Sequence, residues 1–164
     1  MKIYSESGYL IIMDPAYLKA AEGDTIQNID FLKRPKDAAQ LLEQHLFPDA
    51  CGGLIGLVKL SDGEGVYEID LSQVDFWDVD SKSKKIVFGV DLGSFILFDI
   101  KHIQSLIQHF DPIQFDKSTD QKKYFAEIFQ KFSDRDDNMI WSRSPLPFAE
   151  GWHEIDITAF KKID

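Results

Sequence analysis

The chain has 164 residues, 44% hydrophobic and 28% charged, with thirteen Phe, so it holds enough apolar side chain for one ordinary domain core without disulfides or metal. Its formal net charge of -10 repels phosphate backbones and anionic lipid surfaces, and its single cysteine, Cys51, excludes a disulfide framework. No run approaches the roughly 20 apolar residues of a membrane helix, so the expected address is the cytoplasm, with neither nucleic acid nor membrane as a partner.

The opening residues 2–5 and 9–13 are strand-like runs flanking the polar turn Glu6-Ser7-Gly8. They predict a hairpin whose second strand stops at Asp14-Pro15. Residues 15–36 show no clear period and read as loop, with a helical turn at 16–21. The first helix is expected over 36–46, where Ala38, Leu41, Leu42, His45 and Leu46 recur at helical spacing and Pro48 ends the run. After Gly52-Gly53 the apolar run 54–60 reads as a buried strand. The turn Asp62-Gly63-Glu64-Gly65 then leads to an alternating strand over 66–71, and the turn chemistry predicts that the two pair as a hairpin. Runs 86–92 and 95–100 around Gly93-Ser94 predict another hairpin, apolar on both faces and therefore central to the sheet.

Two helical stripes follow. Ile103, Leu106, Ile107 and Phe110 make the first, closed by Asp111-Pro112. Phe125, Ile128, Phe129 and Phe132 make the second, opened by a capping-box pattern of Ser118 and Gln121. Residues 144–147 are extended or turn-like, and 152–157 read as a final strand. With no repeat or linker, the pattern is a single α+β domain over 1–164: a mainly antiparallel sheet built of hairpins, packed against about three helices.

Many chemistries lack their residues. Phosphate-cradling glycine loops, a GxSxG elbow and the kinase signatures are absent. Trp152-His153-Glu154 begins like a zinc-protease motif, but the second histidine falls at Ile157. The acidic stretch 134–138 has oxygens at calcium-loop positions, yet Met139 replaces the required glycine and Pro145 the closing glutamate, so it reads as a solvated turn. His102 and His109 stand roughly 10 Å apart along a helix, too far for one ion to bridge alone. Cys51 reads as a small buried hydrophobe, since no local signature places a base beside it.

Three islands carry a resemblance. Gly8-Tyr9-Leu10-Ile11-Ile12-Met13-Asp14-Pro15-Ala16-Tyr17 matches an opening of the form GxLxIxDPxY. Asp62-Gly63-Glu64-Gly65-Val66-Tyr67-Glu68-Ile69 matches, with an insertion, a GDGxYxV turn. Val90-Asp91-Leu92-Gly93 through Phe98-Asp99 matches a VDxGxxxxFD hairpin. In this order the islands resemble small bacterial and phage proteins to which no activity is attached. The resemblance spans about the first hundred residues and implies a fold and a site location.

Residue by residue, Asp14, Asp91 and Asp99 form the candidate acidic cluster. Each interrupts or ends an apolar run, where an ionised carboxylate needs partners. Converging at one sheet edge, they would hold a divalent cation or share a proton; otherwise each caps a turn or pairs with a lysine. Tyr17, Tyr67 and Trp77 are candidate pocket aromatics, and Trp141 and Phe148 candidate interface aromatics. The expectation is a non-catalytic protein-interaction domain of the immunity or adaptor kind, with a basic protein as partner and no cofactor. The alternatives are a small metal-assisted hydrolase, in which a divalent cation on the aspartates activates water, and a ligand-binding domain.

Overall fold

In the computed structural model of the chain, which describes residues 1–15, 18, 55–76, 85–90, 94–143 and 151–163, the first half of the sheet is one bent ribbon. β1 (Lys2–Ser5) runs into β2 (Tyr9–Met13), and β3 (Ile55–Lys59) runs into β4 (Gly65–Ile69). The two bent strands lie antiparallel on both sides of the bend. Lys2 faces Glu68 and Ser5 faces Gly65 before it, while Tyr9 faces Lys59 and Met13 faces Ile55 after it. The two expected local hairpins are therefore not formed, although their strands lie where the sequence predicts. Their turns bend the chain from one sheet into the next without reversing it. At the bend, Gly8 and Gly63 take φ of 77° and 66°, and a Cβ on Gly8 would stand 3.3 Å from Gly63 Cα. The positive φ favours glycine at both positions, and at Gly8 a side chain would also crowd the facing backbone.

The described residues form three antiparallel sheets. The first has the order β1-β4-β10, with β10 spanning Phe160–Ile163. The second is β3-β2-β7-β8, with β7 at Ser94–Asp99 and β8 at Met139–Arg143. The third is β5-β9-β6, with β5 at Val74–Phe76, β6 at Ile86–Val90 and β9 at Gly151–Ile155. The expected hairpin around Gly93-Ser94 is also replaced. β6 pairs with β9, and β7 pairs with β2 and β8. All six residues of β7 are buried, so its predicted central place holds even though its predicted partner does not.

Sheet alternation on β2 and β7 divides the core in two. Ile11, Met13, Ile96 and Phe98 face a cluster built with α1 (Ile103–His109), α2 (Pro112–Lys117) and α3 (Gln121–Gln130). Leu10, Ile12, Phe95 and Leu97 face a second cluster shared with the other two sheets. The helical cluster is aromatic: Phe110, Phe115 and Phe125 have ring centroids 5.3 to 5.9 Å apart. Phe125, Ile128 and Phe129 are buried, as the stripe on the second helix predicts.

The caps differ from expectation. Asp111 does not only end α1; its Oδ1 accepts from the N–H groups of Ile113 and Gln114 and opens α2, with Pro112 at the first turn. Asp120, not Ser118, caps α3, accepting from Lys123 N at 3.0 Å. Ser118 Oγ donates to Gln114 O and closes α2. The expected helix over 36–46 lies outside the described residues. No helix among those described is long and apolar enough to cross a membrane.

Candidate functional site

Asp99 ends β7 between two buried apolar residues, and it is itself 1% exposed. Its carboxylate is saturated from the bend. Oδ2 accepts from Ser5 Oγ, Glu6 N and Ser7 N at 2.8, 2.9 and 3.0 Å. Oδ1 accepts from Ser7 Oγ at 2.8 Å and Lys101 N at 2.9 Å. Ser5 Oγ in turn accepts from Gly8 N, and Lys101 Nζ pairs with Glu6 at 2.6 Å. Asp99 thus meets the demand of a buried charge and holds the β1–β2 bend in place.

Asp14 is buried too and is not a free carboxylate, but it stands at the other end of β2. Asp99 faces Leu10. Four residues of strand therefore separate the levels of the two aspartates, about 13 Å along the sheet. One cation cannot touch both. Asp91 lies outside the described residues, and among those described no group of three His, Cys, Asp or Glu side chains is placed to hold a metal ion.

The aromatic candidates do not share a wall. Tyr67 is 2% exposed in the sheet-only cluster and donates its hydroxyl to Gly63 O at 2.7 Å. Trp141 packs on the helical cluster, with its ring centroid 6.5 Å from Phe125, and its Nε1 is buried without a partner among the described residues. Sheet β3-β2-β7-β8 separates the two. Tyr17, Trp77 and Phe148 lie outside the described residues. The described histidines pack on aromatic rings: His102 and His109 both lie against Phe132, and burial holds His102 below the usual imidazole range. His153 sits on a strand, stacked on Phe88 and tilted against Phe76, so the segment that resembled a zinc-protease helix is not helical.

A different constellation gathers at the bend. Tyr4 donates its hydroxyl to Glu64 at 2.5 Å, and the Arg135 guanidinium lies over the Tyr4 ring at 3.8 Å. The bond to Glu64 raises the Tyr4 phenol above its ordinary value. Arg135 grips Asp137 through two nitrogens at 3.0 and 3.1 Å, which holds that carboxyl below the usual carboxylate range. The loop carrying Arg135 is fixed by backbone, with Tyr4 N donating to Asp137 O at 2.6 Å and buried Asn138 donating to Arg135 O. Exposed Asp134 and Asp136 flank Arg135. Beside them, a cleft of about 310 Å³ opens between α3 and β8, with Ala126, Phe129 and Met139 among its lining.

Sequence reasoning missed this constellation because its members lie far apart in the chain. The acidic stretch 134–138 was visible, but nothing local places Tyr4 and Glu64 against it. No protein-family model matches the chain, and neither a curated protein nor a solved structure is similar enough to count as a match.

Proposed function

We propose that the protein is a non-catalytic interaction domain, of the immunity or adaptor kind, that receives a basic protein on the acidic face at the bend. The observation that carries this reading is a charge imbalance on fixed backbone. Glu6, Asp62, Glu64, Asp134, Asp136 and Asp137 border this end of the sheets. These six acids outnumber the four cations at this end, Lys59, Lys101, Arg135 and Lys162, and two of those cations are held in ion pairs. Lys101 pairs with Glu6, Arg135 pairs with Asp137, and Lys162 Nζ donates to Asp62 O at 2.9 Å. The face is therefore a negative field with a preorganised Tyr–Arg pair, the residue types that dominate binding energy when a partner desolvates them.

A catalytic centre built on Asp14, Asp91 and Asp99 draws no support from the geometry, because Asp14 and Asp99 stand at opposite ends of β2. The test starts with affinity capture on the full chain, then reconstitution of the purified pair. Charge reversal by Glu64→Lys with Asp134→Lys slows association by about tenfold at low salt, and raised salt erases the difference. A partner whose association ignores both salt and charge reversal sinks the proposal.

A further inference from the structure

The cleft beside the acidic face has the form of an anchor pocket. Its apolar lining comes from Ala126 and Phe129 on α3 and Met139 at the start of β8. Its two rims differ in charge. Lys122 stands on the helix side, while Asp134 and Asp136 stand on the loop side, where Arg135 is occupied by Asp137 and Tyr4. The loop side is thus the rim with uncommitted charge, since neither Asp134 nor Asp136 has an ion-pair partner among the described residues. The lysine opposite excludes a segment that is basic throughout. It leaves room for one that places a cation on one flank of an apolar residue.

The fixed loop matters for energy. Asn138 is 3% exposed and bonded to Arg135 O, and Arg135 N is bonded to Ser133 Oγ, so the pocket wall loses little freedom on binding. A volume of about 310 Å³ accommodates one large aliphatic or aromatic side chain with backbone on either side.

We propose that this cleft seats one apolar side chain of a basic partner segment, with the neighbouring Lys or Arg of that segment on Asp134 and Asp136. The inference rests on the interaction reading above and adds the chemistry of its anchor. The two fail separately in one experiment.

The probes are two short synthetic peptides, one (Lys–Leu) with two Lys on one flank of a Leu and Ser on the other, and one (Lys–Ser) with Ser in place of that Leu, titrated against the full chain by fluorescence anisotropy and by amide shift mapping. The Lys–Leu peptide binds at least about tenfold tighter and moves the amides of Ala126, Phe129 and Met139. Ala126→Trp, which fills the cleft from an exposed helix position, removes that advantage; Gln130→Trp repeats the test should the first variant lower the thermal midpoint. Equal binding of the two peptides, or an advantage that survives both fillings, overturns the anchor and leaves the acidic face standing. Binding of both peptides that ignores Asp134→Lys with Asp136→Lys, or no binding of either, overturns the anchor and the acidic face together.

Discussion

Asp99 shows what a single carboxylate does when the chain around it folds inward. Five donors converge on it, four of them from Ser5, Glu6 and Ser7 at the bend and the fifth from the residue two positions on. Replacing it with asparagine keeps the size and removes the match. Whichever way the amide turns, its NH₂ group meets at least two donors, leaving buried hydrogen-bonding groups without acceptors. Asp99→Asn is therefore expected to cost about 3 kcal/mol in urea unfolding, against about 1 kcal/mol for Ser7→Ala, which removes one of the five donors. An unchanged midpoint for Asp99→Asn would show that the bend does not depend on this carboxylate. The sequence already exposes half of this role. A carboxylate between Phe98 and Ile100 must be satisfied somewhere. Four of its five donors lie over ninety residues away, however, and residue type alone does not tell a metal ligand from a structural acceptor. Tyr67, 2% exposed, raises a related point: an alternating aromatic looks the same in sequence whether its face lines a pocket or closes a core.

At the scale of elements, strand positions were legible and strand partners were not. Alternation and apolar runs mark β1, β2, β3, β4 and β7 because burial acts on every second residue. Pairing is decided by which way each turn sends the chain, and Glu6-Ser7-Gly8 and Asp62-Gly63-Glu64-Gly65 carry hairpin-like residues while making bends. β5, β8 and β10 were not anticipated. β5 has three residues, and β10 carries two exposed lysines, so neither offers a clear period. Those lysines suit a sheet edge, where charge discourages further strand pairing. The junction between β3 and β6 depends on Gly56. A Cβ there would stand 2.5 Å from Ile12 Cγ2, 2.7 Å from Ile86 Cγ2 and 3.3 Å from the Val87 carbonyl oxygen. Gly56→Ala drives a Cβ into Ile12 of the paired strand β2 and into both the Ile86 side chain and the Val87 backbone of β6, forcing the β3–β6 approach apart. A loss of about 1–3 kcal/mol is expected, read as a lower unfolding midpoint. A variant as stable as the parent would mean that the third sheet moves away without penalty.

Across the whole molecule, sheet β3-β2-β7-β8 is the shared wall of both cores. Neighbouring residues on β7 serve opposite sides: Leu97 belongs to the cluster with the other sheets, Phe98 to the cluster with the helices, and Phe98 lies 6.4 Å from Phe129 by ring centroids. Loss of the helical layer would expose Ile11, Met13, Ile96 and Phe98 at once, four fully buried side chains worth roughly 1.5–3 kcal/mol each. That penalty falls on the same strands whose other face supports the rest of the sheets, and Asp99 ties their end to the bend of the ribbon. The two layers should therefore open together. Phe125→Ala, which empties the centre of the helical aromatic cluster, is expected to cost about 3–5 kcal/mol. Native-state hydrogen exchange tests the coupling. The slowest amides of β4 and β9, whose Tyr67, Ile69 and Ile155 belong to the sheet-side cluster, should lose the same opening free energy as those of β7. If protection falls only in the helices while β4 and β9 keep theirs, the helical layer is a separate cooperative unit. The cleft on α3 would then open and close independently of the acidic face beside it.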